Sequence, residues 1–140
     1  MKVLVQGHTL AVGLNGKSEI LRELPIELTS VDTASQAVSF LKLERFDGVI
    51  TRWRLDDASE GDFLKKLRLV RPDTPAVVLV DSGNPAQEIM ARSIGVSAVL
   101  TENCSDELLL ATVAAVLGID IPDAVHAENA RTAKKTIMKM

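Results

Sequence analysis

The stretch Phe46-Asp47-Gly48-Val49-Ile50-Thr51-Arg52-Trp53-Arg54-Leu55, near the middle of the chain, constrains the fold more than any other. It opens on an Asp-Gly turn signal, continues through β-forming residues without apolar–polar alternation, and breaks off at charge. That is the pattern of a strand covered on both faces. Pro75-Ala76-Val77-Val78-Leu79-Val80, closing on Asp81-Ser82-Gly83, reads the same way. Strands covered on both faces belong to parallel sheets, and parallel neighbours need a crossover of a dozen or more residues, usually a helix.

The intervening sequence supplies those helices. Thr33-Ala34-Ser35-Gln36 has capping-box spacing, and Ala34, Ala37, Val38 and Leu41 recur at helical intervals as far as Arg45. A polar loop of Asp56, Asp57, Ser59, Glu60 and Gly61 feeds a helix carrying Phe63, Leu64 and Leu67, which Pro72 stops. Asn84-Pro85 places a capping side chain before a proline at the first helical position, and Gly95 stands where that helix ends. Ser97–Thr101 reads as a fifth strand, and Ser105 caps a last helix from Asp106 to Leu117, closed by Gly118. Toward the amino end, Val3-Leu4-Val5 reads as the first strand, ending at Gln6-Gly7-His8. A short or irregular helix follows from Lys17 to Leu24, and Ile26–Val31 alternates like a partly covered edge strand.

Strand and helix thus alternate five times over residues 1–118. Such alternation with right-handed crossovers predicts an α/β fold, a doubly wound five-stranded parallel sheet with helices on both faces. Residues 119–140 read as a polar tail, a frayed helix or disordered.

At 140 residues the chain can bury a full core without staples, and with only 3% aromatic residues that core is aliphatic. Sixteen basic and nineteen acidic residues, well mixed, leave a net charge of −3, which favours neither nucleic acid nor an anionic membrane as partner. The single cysteine, Cys104, cannot form an internal disulfide, no run is long enough to cross a bilayer, and no signal peptide is legible. The expected location is cytoplasmic.

Phe46-Asp47-Gly48-Val49-Ile50, Arg71-Pro72-Asp73-Thr74-Pro75-Ala76-Val77-Val78-Leu79 and Ala91-Arg92-Ser93-Ile94-Gly95-Val96-Ser97-Ala98-Val99-Leu100-Thr101 resemble the third, fourth and fifth strands, with their lead-ins, of the receiver domain of two-component response regulators. The resemblance spans residues 1–118 and implies a flavodoxin-like sheet of strand order 2-1-3-4-5 and a place in phosphorelay signal transduction. In that family an acidic pair after the first strand binds Mg²⁺, an Asp ends the third strand and accepts the phosphoryl group, a Thr or Ser ends the fourth, and a Lys ends the fifth. Carried onto this sequence, those positions fall on Gly7 and His8, Arg52, Val80 and Glu102. A guanidinium cannot attack phosphorus, and Gly7-His8 offers no hard oxygen ligands for Mg²⁺. The resemblance therefore implies a pseudo-receiver without catalytic or metal-binding residues and without a cofactor. Exchange of the acceptor Asp and the Lys for Arg52 and Glu102 keeps an opposite-charge pair with its signs reversed, so an ion pair between them is expected.

Two other functions remain open: a genuine phosphorelay regulator with a rearranged site, and a nucleotide-binding protein. Ala11-Val12-Gly13-Leu14-Asn15-Gly16-Lys17-Ser18 fits a relaxed phosphate loop, with Gly16, Lys17 and Ser18 as its operative residues. His8 and Cys104 lack partners at metal-ligand spacing, and Asp56, Asp57 and Glu60 suit a solvated loop before a helix. The last helix is apolar nearly all round, so Leu108, Leu110, Ala111, Ala114 and Leu117 are candidates for an interface. By the family resemblance, the fourth helix, fifth strand and fifth helix would form that surface, toward a kinase, an output protein or a second copy in a homodimer.

Overall fold

The computed structural model describes residues 8–14, 17–59 and 61–119. The strands are β1 (His8–Val12), β2 (Glu27–Val31), β3 (Gly48–Arg52), β4 (Ala76–Val80) and β5 (Ala98–Thr101). Between and after them lie α1 (Ser18–Leu21), α2 (Ala34–Leu43), α3 (Asp62–Val70), α4 (Pro85–Ile94) and α5 (Asp106–Leu117). All pairings are parallel, in the order β2-β1-β3-β4-β5. The order reverses between β1 and β3, and in doubly wound sheets ligands bind outside the carboxyl ends of the strands at that point.

Alternate residues of each strand point to opposite faces. Leu10, Val12, Val49, Val78 and Val80 pack beneath α2, α3 and α4, whereas Ala11, Ile50, Val77 and Leu79 pack beneath α1 and α5. Leu10, Leu41, Leu67 and Leu109 are wholly buried, and each contributes about 2 kcal/mol by leaving water.

The helix signals act locally. Thr33 Oγ1 accepts from Gln36 N at 3.1 Å while Gln36 Oε1 accepts from Thr33 N at 3.3 Å, completing the capping box. Asn84 and Ser105 cap α4 and α5 through their side chains. Helix α1 is shorter than its pattern predicts, because Arg22, Glu23 and Leu24 turn their N–H groups to carbonyls three residues back and carry Leu24 into the core.

The first strand departs from its sequence expectation. Val3–Val5 lie outside the described residues, and β1 pairs with β2 and β3 over His8–Val12. Thr9, a polar residue on a wholly buried site, breaks the apolar run that would have marked this strand. Its Oγ1 has no hydrogen-bond partner. Thr9→Val keeps the branched shape and removes the unsatisfied hydroxyl, so it should raise stability by about 1–2 kcal/mol. The urea midpoint should rise at unchanged slope.

Ile119, which the sequence assigns to the tail, is buried in the same cluster as Leu14, Leu24 and Ala114 and donates its N–H to Ala114 O at 3.0 Å. The rest of the tail lies outside the described residues.

Candidate functional site at the carboxyl edge of the sheet

Strand β3 delivers Arg52 to the carboxyl edge. Thr51 is wholly buried, and the next residue is the first whose side chain reaches water. Arg52 Nε donates to Glu102 Oε2 at 2.8 Å, with the two side chains 31% and 29% exposed. Glu102 follows β5 directly, and its N–H donates to Val80 O at 2.9 Å, which continues the sheet ladder and fixes its position. An ion pair at this depth, with a third of each group in water, is worth about 1 kcal/mol. The structure thus brings Arg52 and Glu102 together across the ends of β3 and β5. Val80 lies between them on β4, buried, with a side chain that offers no hydroxyl.

A second pair repeats the arrangement one step outward. Arg54 bonds to Asp81 Oδ2, and Gln87, a buried residue of α4, donates from Nε2 to the same oxygen at 3.1 Å. Gln87 Oε1 in turn accepts from Asp81 N at 2.8 Å. The Arg54 guanidinium first, and then the Gln87 amide, hold the Asp81 carboxyl below its usual range. The carboxylate nearest the expected hydroxyl position is therefore engaged by α4 and by the residues after β3.

The end of β1 needs correcting. Because β1 runs to Val12, the residues that follow the first strand are Gly13 and Leu14, not Gly7 and His8. Gly13 has φ +67°, and a Cβ there would lie 2.6 Å from Leu55 Cδ2 and 4.0 Å from Arg52 Cδ. Leu14 is buried in the α1–α5 core. Neither side chain carries an oxygen ligand. Gly7 lies outside the described residues, and His8 opens β1 at the opposite edge of the sheet. There its Nε2 is 3.0 Å from Thr29 Oγ1, its Nδ1 is 3.6 Å from Glu44, and its ring packs on Phe46. His8, expected to be a surface or loop histidine, is thus a half-buried residue of β1. Among the described residues no group of three His, Cys, Asp or Glu side chains could hold a metal ion.

Asp57 has a role that its sequence context hides. Its carboxylate accepts from Ala34 N at 2.8 Å and Ser35 N at 3.0 Å, and so ties the loop after β3 to the first turn of α2. Free N–H groups and the helix dipole favour an anion there. The 23 residues separating Asp57 from Ala34 leave no local motif by which to find the contact. The Ala34 and Ser35 N–H bonds lower the Asp57 carboxyl from its usual range. A carboxyl lowered on folding contributes stability above its unfolded value, near pH 4, and that contribution is lost as pH falls through the folded value. Asp57→Asn should therefore lower stability at neutral pH and flatten its acid dependence below about pH 4. Urea titrations at pH 3 to 7 check this, together with faster hydrogen exchange at Ala34 and Ser35.

The phosphate-loop residues are only partly in register with their motif. Ala11 and Val12 are paired strand residues, β1 leads straight into Gly13, and Gly16 lies outside the described residues. Lys17 precedes α1, which has only four residues, and Ser18 is buried. Asp81, the acid that a nucleotide hydrolase would need nearby, is held by Arg54 and Gln87.

The expected interface residues divide. Leu110 and Ala114 are buried, at 3% and 2% exposure, and are removed from the candidate surface. An all-apolar helix does not reveal which side faces the sheet; here α5 turns Leu109, Leu110, Val113 and Ala114 inward, with Leu24 and Ile119 closing over them. Leu117 is half-buried, its Cδ2 against Gly48, and Ala111 is also half-buried. Leu108 is exposed, as are Ile89 and Met90 on α4, while every residue of β5 is half-buried. Cys104 is half-buried, and burial pushes its thiol up, away from reactivity. No described helix is long and apolar enough to cross a membrane.

Neither the models of known protein families nor the curated protein sequences match this chain. Solved structures do. A CheY-like response regulator receiver domain protein from Methanospirillum hungatei superposes with a TM-score of 0.71 at 18% identity, over 86% of this chain and 97% of its own. A chemotaxis response regulator of Vibrio cholerae gives 0.69 at 22% identity, over 78% and 97%. The receiver domain of a signal transduction histidine kinase from Syntrophus aciditrophicus gives 0.68 at 23% identity, over 80% and 90%. At these identities the likeness is one of fold, and the fold is that of receiver domains.

Proposed function

We propose that this chain, which has the receiver fold, is a phosphorylation-independent signalling adaptor that works through protein–protein contacts rather than catalysis. The observation that carries the reading is the Arg52–Glu102 pair, 2.8 Å across the ends of β3 and β5, where the resemblance places an aspartate and a lysine. A guanidinium there cannot take a phosphoryl group, and the side chains of Gly13 and Leu14 offer no carboxylate for the cation that the transfer needs. With Arg54–Asp81 beside it, the edge is cross-linked without phosphate, and the fold holds one conformation as its working state. Ile89 and Met90 on α4 and Leu108 on α5 are exposed, and we assign these side chains to contact with a kinase, an output protein or a second copy of the chain.

The test is incubation with acetyl phosphate and Mg²⁺ followed by intact-protein mass spectrometry. No adduct is expected. A phosphoryl adduct mapped to Asp56, Asp57 or Asp81 would establish a rearranged phosphorelay site and overturn the reading.

A further inference from the structure

The two most exposed large apolar side chains among the described residues, Leu43 at 81% and Leu69 at 83%, lie on the neighbouring helices α2 and α3 of one layer. Helix α2 buries Ala34, Ala37 and Leu41, and α3 buries Phe63, Leu64 and Leu67. At 100° per residue, Leu43 and Leu69 each stand about opposite the core-facing side of their helix, so both point outward from the same face of the sheet. The carboxyl ends of the helices are tied together: Arg71 Nε donates to Leu41 O at 2.9 Å and its Nη2 to Glu44 O at 3.3 Å. Between the helices runs a groove of about 300 Å³ with Val38, Ala58 and Phe63 in its lining and Lys42 and Lys66 at its rim. Lys42, Lys65 and Lys66 are exposed, and none has an ion-pair partner within 4.0 Å among the described residues.

We infer that the α2–α3 layer is a second docking surface, whose occupant is an acidic amphipathic segment of another protein. The occupant's apolar side chains meet Leu43, Leu69 and the groove, and its carboxylates meet Lys42, Lys65 and Lys66. Charge complementarity selects this partner. A chain of net charge −3 places three exposed lysines on this layer beside its two most exposed leucines, and of the three Lys66 also faces Asp57, whose carboxyl it helps the Ala34 and Ser35 N–H groups to lower. A second copy of the chain docking the same face would bring the same three lysines to both sides of the contact, with only Asp62 and Asp57, the latter already bonded to the first turn of α2, in the groove to oppose them. An anionic bilayer, a flat surface, would leave the concavity unfilled. The surface does not include the Arg52–Glu102 pair.

A random library of peptides of about 12 residues, panned on the full chain, tests the inference. Enriched sequences should carry Asp or Glu together with Leu, Ile or Phe at three- and four-residue spacing. By fluorescence anisotropy, Lys42→Glu with Lys66→Glu should weaken the selected peptide about tenfold or more, and Leu43→Ser with Leu69→Ser by a similar factor. Ile89→Glu should leave its affinity unchanged. All four substituted side chains are exposed, so the urea midpoint of each double variant should stay within error of the parent. A library that yields no binder, or only basic peptides, overturns the inference. So does a peptide insensitive to both double variants, or phosphatidylglycerol vesicles binding more tightly than the peptide through the same residues.

Discussion

Gly61→Val should cost the fold about 3 kcal/mol or more and shift the fluorescence of Trp53. Gly61 caps the start of α3 with φ +79°, and a Cβ there would lie 2.7 Å from Trp53 Cη2 and 3.1 Å from Cζ2. A β-branched residue in the left-handed region costs about 1–3 kcal/mol, and overpacking a filled site costs about 1–3 more. Trp53 is 3% exposed and anchors the stretch between β3 and α3, so it cannot move aside without opening the core above β3. It is the chain's sole tryptophan, so the emission change reports this contact alone. Gly83→Val is the control, because Gly83 has φ +75° with nothing within 4 Å of its added Cβ. The difference between the two urea midpoints isolates the clash, and equal losses would refute the packing argument.

Arg52→Asp should lower stability by about 1–2 kcal/mol and still leave the chain unable to take a phosphoryl group. The substitution restores the residue type that receiver chemistry uses. It also sets a carboxylate opposite Glu102, with Asp81 nearby, in place of an attractive contact at 2.8 Å. Adding Glu102→Lys re-forms an opposite-charge pair and should recover most of the loss, a coupling that a double-mutant cycle measures directly. Phosphoryl uptake should fail in both variants, because the cation still has only Gly13 and Leu14 after the first strand. Uptake from acetyl phosphate by the single variant would mean that the edge recruits Mg²⁺ by another route, and the adaptor reading would then lose its main support.

Much of the fold was legible because its signals are local. Continuous apolar runs marked β3 and β4, and their helices were announced by Thr33-Ala34-Ser35-Gln36, Asn84-Pro85 and Ser105, whose caps form within three residues of the side chains that make them. The first strand was not legible. Between Thr9 and Gly16 its pattern is poor, with two glycines and an Asn close by, and burial on both faces is a property of the neighbours, not of the segment. Helix α5 failed differently: with apolar residues all round, it gave no preferred side until Leu24 and Ile119 occupied one.

By itself the sequence determined which residue types reach the carboxyl edge: an arginine at the end of β3 and a glutamate after β5, where the receiver resemblance places an aspartate and a lysine. Only the tertiary structure decided what they do there. The parallel register β3–β4–β5 brings Arg52 and Glu102, 50 residues apart in the chain, to 2.8 Å, and the same packing sets Asp57 on α2 and Asp81 beneath Arg54. Residue identity is written locally. Whether two charges meet depends on the register of strands that the chain can align only after all five have assembled.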